Sequence, residues 1–234
     1  MRRFYRNYAF EGLVGFEVSY KQTDLFIEAC KKMEYEVFQL VRDLRMKLDS
    51  YIEQNRDFLV SLKPVRQDRR APAIAREMIT EAAFAGVGPM ACVAGAFADH
   101  VGRFILKHCS ECIVENGGDI FLKLEREALI GVYTENPHFK DKLAVRLKCR
   151  QHPYGVCSSS AKIGPSLSLG RADLALIVSD NATRADALAT RCANMIETPD
   201  DIERTIEFAR SKGVLGCLFI SQDRLGIWGD ITLA

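Results

Sequence analysis

No long apolar run opens or interrupts this chain. The start, "MRRFYRNYAFEGL", is basic but lacks the apolar stretch of a secretory signal. The longest weakly polar stretch, Ala82 to Ala98, is mostly Ala and Gly with a proline inside. It is too short and too poor in Leu and Ile to span a bilayer. An excess of one charge is missing too: 32 Lys and Arg oppose 31 Asp and Glu, a net of +1. No whole-chain field therefore argues for nucleic acid or an anionic membrane as a partner. The expectation is a soluble, cytoplasmic protein with no membrane or nucleic-acid role. Internal repeats and low-complexity segments are also absent.

Cysteine is not scarce, for there are eight, but their spacing lacks a pattern. Only Cys109 and Cys112 form a close pair, in "CSEC". A zinc site would need a second pair or histidines at ligand spacing, which the adjacent His108 does not supply. The cysteines read as free thiols packed as small hydrophobes, with a redox role for Cys109 and Cys112 as the alternative. Walker spacing and a G-x-S-x-G elbow are both lacking, so neither a P-loop nor a hydrolase serine is supported.

What is present is a globular balance, 48% apolar and 27% charged over 234 residues, enough to bury a core without staples. "RFYRNYAF" and "VGFEVSYKQ" alternate like two half-buried strands around an "EGL" turn, and "DLFIEAC" reads as a third. Met33, Val37, Leu40, Val41, Leu44, Leu48, Tyr51 and Ile52 then recur at helical spacing. The polar segment 62–72 is a connection between sub-layers. Its Arg66, Arg69 and Arg70 could meet phosphate, although a solvated charge run is the plainer reading.

Helical patterns follow around Ala73 to Ala85 and Met90 to Lys107. In the second, Val93, Phe97, Val101 and Phe104 make an apolar stripe. Ala91, Gly95, Ala98 and Gly102 make a face of small residues, open to a flat ligand or to tight packing. His100, at the stripe's edge, reads as a satisfied core histidine. Six strand-like stretches lie between Glu111 and Ser179, then a helix over 182–196. A last helix has Thr198 as N-cap, Pro199 at its first position and Gly213 at its stop, before a closing hairpin. This order predicts one α+β domain over 1–234 rather than a βαβ alternation.

Three stretches could carry chemistry. In "VENGGDIFL" the Asn-Gly pair signals a type I′ hairpin, yet a second glycine and an acid follow. Gly118 would permit close backbone approach, and Asp119 could take a metal or a ribose hydroxyl. In "CSSSAKIGPSLSLGRAD" the hydroxyls of Ser158, Ser159 and Ser160, with Lys162 and backbone N–H groups, could cradle a phosphate. In "NATRADALATRCAN" Asp186 and Thr190 stand one helical turn apart beside the buried stripe Ala185, Leu188, Ala189, Cys192 and Ile196. A carboxylate and a hydroxyl so placed can share a hard cation such as Mg²⁺. The plainer readings are a hairpin turn, a polar loop and a polar helix flank.

Taken together and in this order, the stretches resemble the ApbE superfamily, the FAD-dependent protein flavin transferases. Gly117, Gly118 and Asp119 match its Gly-Gly-Asp turn. Ser158, Ser159 and Ser160 approximate its Thr-Ser-Gly-like segment, and Ala185, Asp186, Ala187, Ala189 and Thr190 match its Ala-Asp-Ala-x-Ala-Thr helix. "MACVAGAFADHVG" occupies the place of its Gly- and Ala-rich helix. The likeness covers roughly Gly88 to the C-terminus and is nearest to a smaller ApbE-like branch. It implies a T-fold-like architecture, antiparallel sheets covered by helices. It also implies a site for FAD or another nucleotide or phosphate ligand at Asn116–Asp119 and Ser158–Ser160, with Mg²⁺ held by Asp186 and Thr190.

The chain departs from the transferases in lacking their histidine and Asp-Pro-x-Thr-Gly stretch. Pro165, which has no acid–base group and no N–H, stands where the smaller branch carries histidine. Three expectations follow: a diverged FMN-transferase-like enzyme or binding protein, a non-catalytic module acting through a protein partner, or a sulfur-assimilation accessory linked to homocysteine formation and using Cys157. A homodimer is kept open.

Overall fold

The computed structural model describes residues 10–140, 143–160 and 171–234. The chain opens with a hairpin of β1 (Val14–Tyr20) and β2 (Thr23–Ala29), followed by α1 (Glu34–Gln54), α2 (Arg56–Val60) and α3 (Ala73–Ala85). A 3₁₀ turn over Pro89–Cys92 leads into α4 (Val93–Ile105). Then come β3 (Cys112–Asn116), β4 (Asp119–Lys123), β5 (Ala128–Val132), β6 (Leu143–Leu147), β7 (Tyr154–Ser159) and β8 (Leu174–Ser179). After α5 (Ala182–Met195) and α6 (Asp201–Ser211), the chain ends in β9 (Gly216–Ser221), β10 (Arg224–Gly229) and β11 (Ile231–Leu233).

Among the described residues the strands form an eight-stranded sheet, ordered β1-β2-β3-β4-β7-β8-β9-β10, and a three-stranded sheet, ordered β11-β6-β5. Every ladder is antiparallel. The helices cover one face of the large sheet and the small sheet covers the other. Strand alternation shows this directly. Val114, Phe121, Cys157, Ile177 and Phe219 belong to the helix-side core. Their neighbours Ile113, Leu122, Val156, Val178 and Leu218 belong to the core against the small sheet. Both faces of β8 are thus buried, which is why "LALIVS" reads as an unbroken apolar run. The α+β class, the antiparallel pairing and the helical cover agree with the sequence.

Several local expectations need correction. The strand expected over "RFYRNYAF" lies outside the described residues except for Phe10, and so do Lys162 and Pro165. The last helix begins at Asp201 rather than Pro199. The Asp201 carboxylate accepts from the Thr198 backbone N–H at 2.9 Å and the Thr198 hydroxyl at 3.1 Å. Thr198 therefore donates instead of capping, and the turn before the helix is closed by the acid within it.

The free-thiol reading fails for one pair: Cys30 and Cys109 form a disulfide, their Cα atoms 5.7 Å apart. Cys109 therefore does not pair with Cys112, whose thiol is buried and donates to the Gly102 carbonyl. The end of β2 meets the turn after α4 here, a contact that short-range spacing does not reveal. Among the described residues no single helix is long and apolar enough to cross a membrane.

Candidate functional site

The hairpin between β3 and β4 pairs Asn116 with Asp119, so its two central residues are Gly117 and Gly118. Both take positive φ, +70° and +106°, as a type I′ turn demands. The second glycine, unexplained by an Asn-Gly turn, is therefore required. Asn116 is left at a strand position, where its side-chain amide donates to the Ala94 carbonyl at 3.0 Å. The Gly118 N–H donates to Glu115 Oε1 at 2.8 Å.

Asp119 lies on the helix side of the sheet, two residues before Phe121 and across from Cys157. It is buried, and its Oδ1 has no hydrogen-bond partner. Burial raises its pKa to about 7, although the Cys157 thiol and the Ser158 backbone N–H pull the other way. Ser158 Oγ also lies at contact distance from where a Cβ on Gly118 would stand. Ser159 continues the β7 ladder opposite Ala175, and Ser160 is buried just beyond it. The serine stretch and the glycine turn thus meet at one end of the large sheet.

From the third stretch, Asp186 comes within electrostatic reach of Asp119 from the helical layer. Asp186 and Thr190, both buried on α5, face the start of α4. The Gly95 N–H donates to Asp186 Oδ2 at 2.9 Å, and the Thr190 hydroxyl donates to the Ala91 carbonyl at 3.3 Å. Burial lifts the Asp186 carboxyl well above the usual carboxylate range, and the Asp119 charge lifts it further. Two carboxylates from distant parts of the sequence therefore repel one another in a poorly hydrated place.

The glycines of α4 explain the approach. A Cβ on Gly95 would lie 2.3 Å from the Ala182 carbonyl oxygen, and one on Gly102 would lie 2.1 Å from the Phe121 ring. At both positions the small-residue face serves tight packing, against α5 and against β4. His100 Nε2 lies 3.1 Å from Glu77 Oε2, which also pairs with Arg103, but it makes no well-aligned hydrogen bond. Arg66, Arg69 and Arg70 are exposed on their connection.

Sequence reasoning missed Asp99. It is buried in α4 and accepts from the Ala182 N–H at 2.9 Å, the Thr183 N–H at 2.8 Å and the Thr183 hydroxyl at 2.6 Å. An acid inside "GAFADHVG", an otherwise apolar and small-residue helix, was the available signal. Cys157 is wholly buried and donates to the Ala182 carbonyl at 3.3 Å. Burial and then Asp119 hold its thiol well above the ordinary range, so the protonated form is strongly favoured. Two cavities lie apart from these residues, one of about 350 Å³ beside Glu17, Tyr35 and Phe38 and one of about 130 Å³ beside Arg146 and Asp230.

A family model described as AbpE bacteria matches residues 6–211, further upstream than the three stretches reach. The chain belongs to this ApbE-like family. It is similar to the UPF0280 protein of Methanobrevibacter smithii, 38% identical over 82% of this chain and 83% of that protein. The UPF0280 protein of Methanocaldococcus jannaschii is 34% identical over 90% and 88%. Among solved structures, the flavinyl transferase ApbE of Pseudomonas stutzeri in its apo form aligns with a TM-score of 0.59 at 11% identity. That alignment covers 92% of this chain and 93% of the other. The flavin transferase ApbE of Vibrio cholerae aligns with a TM-score of 0.57 at 13% identity, over 92% and 96%. At such identities the likeness is one of fold, and it is the ApbE fold that the motif order implied.

Proposed function

We propose that this ApbE-like protein binds a flavin nucleotide, FAD foremost, through its phosphates, with Asp119, Asp186 and Thr190 as the residues that would hold Mg²⁺. The observation that carries the reading is the unpartnered Asp119 Oδ1, buried beside a second carboxylate whose proton affinity it raises. Unpartnered buried carboxylate oxygens are costly, and a cation between two such groups removes the penalty. The donors are hard oxygens, from Asp119, Asp186 and Thr190, which suit Mg²⁺. Among the described residues no cluster of three or more His, Cys, Asp and Glu side chains could cage a metal. Mg²⁺ is usually held by one or two carboxylates together with phosphate oxygens and water.

Bound Mg²⁺ would supply charge neutralisation for the phosphates. The chain's own groups do the remainder. Asp186 accepts from Gly95 with one oxygen and keeps lone pairs for a cation. Thr190 gives its proton to Ala91, which leaves its hydroxyl oxygen as an acceptor. Ser158, near the end of β7, would offer a donor to phosphate oxygens. The groups that act most strongly on Asp119 and Asp186 are carboxylates, a thiol and backbone amides, with no histidine among them.

Flavin fluorescence during titration with FAD, with and without Mg²⁺, tests this. The wild type should bind in a Mg²⁺-dependent way and Asp186→Ala should lose at least tenfold in affinity. A wild type that binds no FAD under either condition overturns the reading.

A further inference from the structure

Helix α5 runs antiparallel to α4 and to the 3₁₀ turn that leads into it, and three hydrogen-bonded rungs join them. Ala182 and Thr183 meet Asp99, Asp186 meets Gly95, and Thr190 meets Ala91. The principal positions are four apart: 182, 186 and 190 on α5, opposite 99 and 95 on α4 and Ala91 in the 3₁₀ turn that leads into it. At 3.6 residues per turn, such positions share one face. The ladder is thus a register between two helix faces.

Each helix also supplies what the other's N-terminus lacks. No side chain caps the start of α4 locally, and Asp186 accepts from its first turn. At α5, Asn181 accepts from the Arg184 N–H, and Asp99 takes both the Ala182 and Thr183 donors. Asp99 further engages the Thr183 hydroxyl, so a single side chain fixes both the axial position and the rotation of α5. A slip of one residue along α5 would turn Asp186 and Thr190 by roughly 100° away from α4.

We infer that Asp99 is a positioning residue of the candidate cation site, setting the register of α5 that presents Asp186 and Thr190; this rests on the proposed Mg²⁺–nucleotide reading. Asp99 itself need not touch the ligand. Its carboxylate is already engaged by three donors of α5, and it acts through the helix that carries the other two groups.

The test compares FAD affinity with and without Mg²⁺ in the full chain for wild type, Asp99→Asn, Thr183→Val and Ile27→Val. Ile27 is a buried core residue of β2 and serves as a control for lost stability. Asn keeps one acceptor but turns an NH₂ group toward the α5 donors. The ratio of the two affinities should fall at least tenfold in Asp99→Asn and at least twofold in Thr183→Val, and stay unchanged in Ile27→Val. A purely structural role would lower melting temperature in all three variants without moving that ratio. If wild type shows no Mg²⁺-dependent binding, the functional reading fails and this inference with it. If wild type binds and folded Asp99→Asn keeps the wild-type ratio, this inference alone is overturned. Should Asp99→Asn not fold, an unchanged ratio in Thr183→Val overturns it equally.

Discussion

The backbone N–H of Gly95 reaches Asp186 Oδ2 at 2.9 Å because position 95 carries no side chain. A Cβ there would stand 2.3 Å from the Ala182 carbonyl oxygen and 2.9 Å from Asp186 Cβ. Gly95→Ala should therefore push α4 and α5 apart and cost about 1–3 kcal/mol. Urea unfolding measures it. A midpoint equal to that of the wild type would show that the two helices do not pack as described.

Asp119 makes stability depend on pH in an unusual direction. Its folded value, about 7, exceeds the ordinary 3.8, so the folded state holds this proton more tightly than the unfolded chain does. The contribution is fully present below about pH 4 and is lost as pH rises toward about 7, by up to about 4 kcal/mol. In EDTA-treated protein the melting temperature of wild type should fall relative to Asp119→Asn across that window. Parallel curves for the two proteins would contradict the burial of an ionisable group at 119.

Gly118 has φ +106°, a conformation that L side chains rarely adopt, although Ser158 Oγ at 3.6 Å leaves room for a methyl. Gly118→Ala should cost on the order of 1–3 kcal/mol through backbone strain rather than through a clash. Thermal melts would register the loss. A neutral substitution would argue against the type I′ turn.

The Cys30–Cys109 disulfide closes a loop with a sequence separation of 79. Loop-closure entropy for that span gives about 4.5 kcal/mol of stabilisation as an upper figure. Chemical denaturation with and without reductant should show a loss, reproduced in Cys30→Ser without reductant. If reductant shifts the wild type and Cys30→Ser alike, the sensitivity lies elsewhere.

Much of the fold was legible because its signals are local. Apolar residues at helical spacing foretold α1, and α3 spans the residues that its pattern marked, 73–85. Alternation and turn glycines foretold the β3–β4 hairpin, though not which two residues form its centre. Local reasoning erred at Thr198, whose N–H and hydroxyl both donate to the Asp201 carboxylate three residues onward. Of the site, the sequence supplied Asp119, Asp186 and Thr190 as residue types that suit a hard cation.

The sequence by itself determined the periodicities, the turn chemistry and the inventory of acids and hydroxyls, since each depends on neighbours within a few residues. Only the tertiary structure decided that Asp119 is buried near Asp186, that Asp99 holds the N-terminus of α5, and that Cys30 meets Cys109. These facts depend on which segments pack together, and burial and charge act through space rather than along the chain.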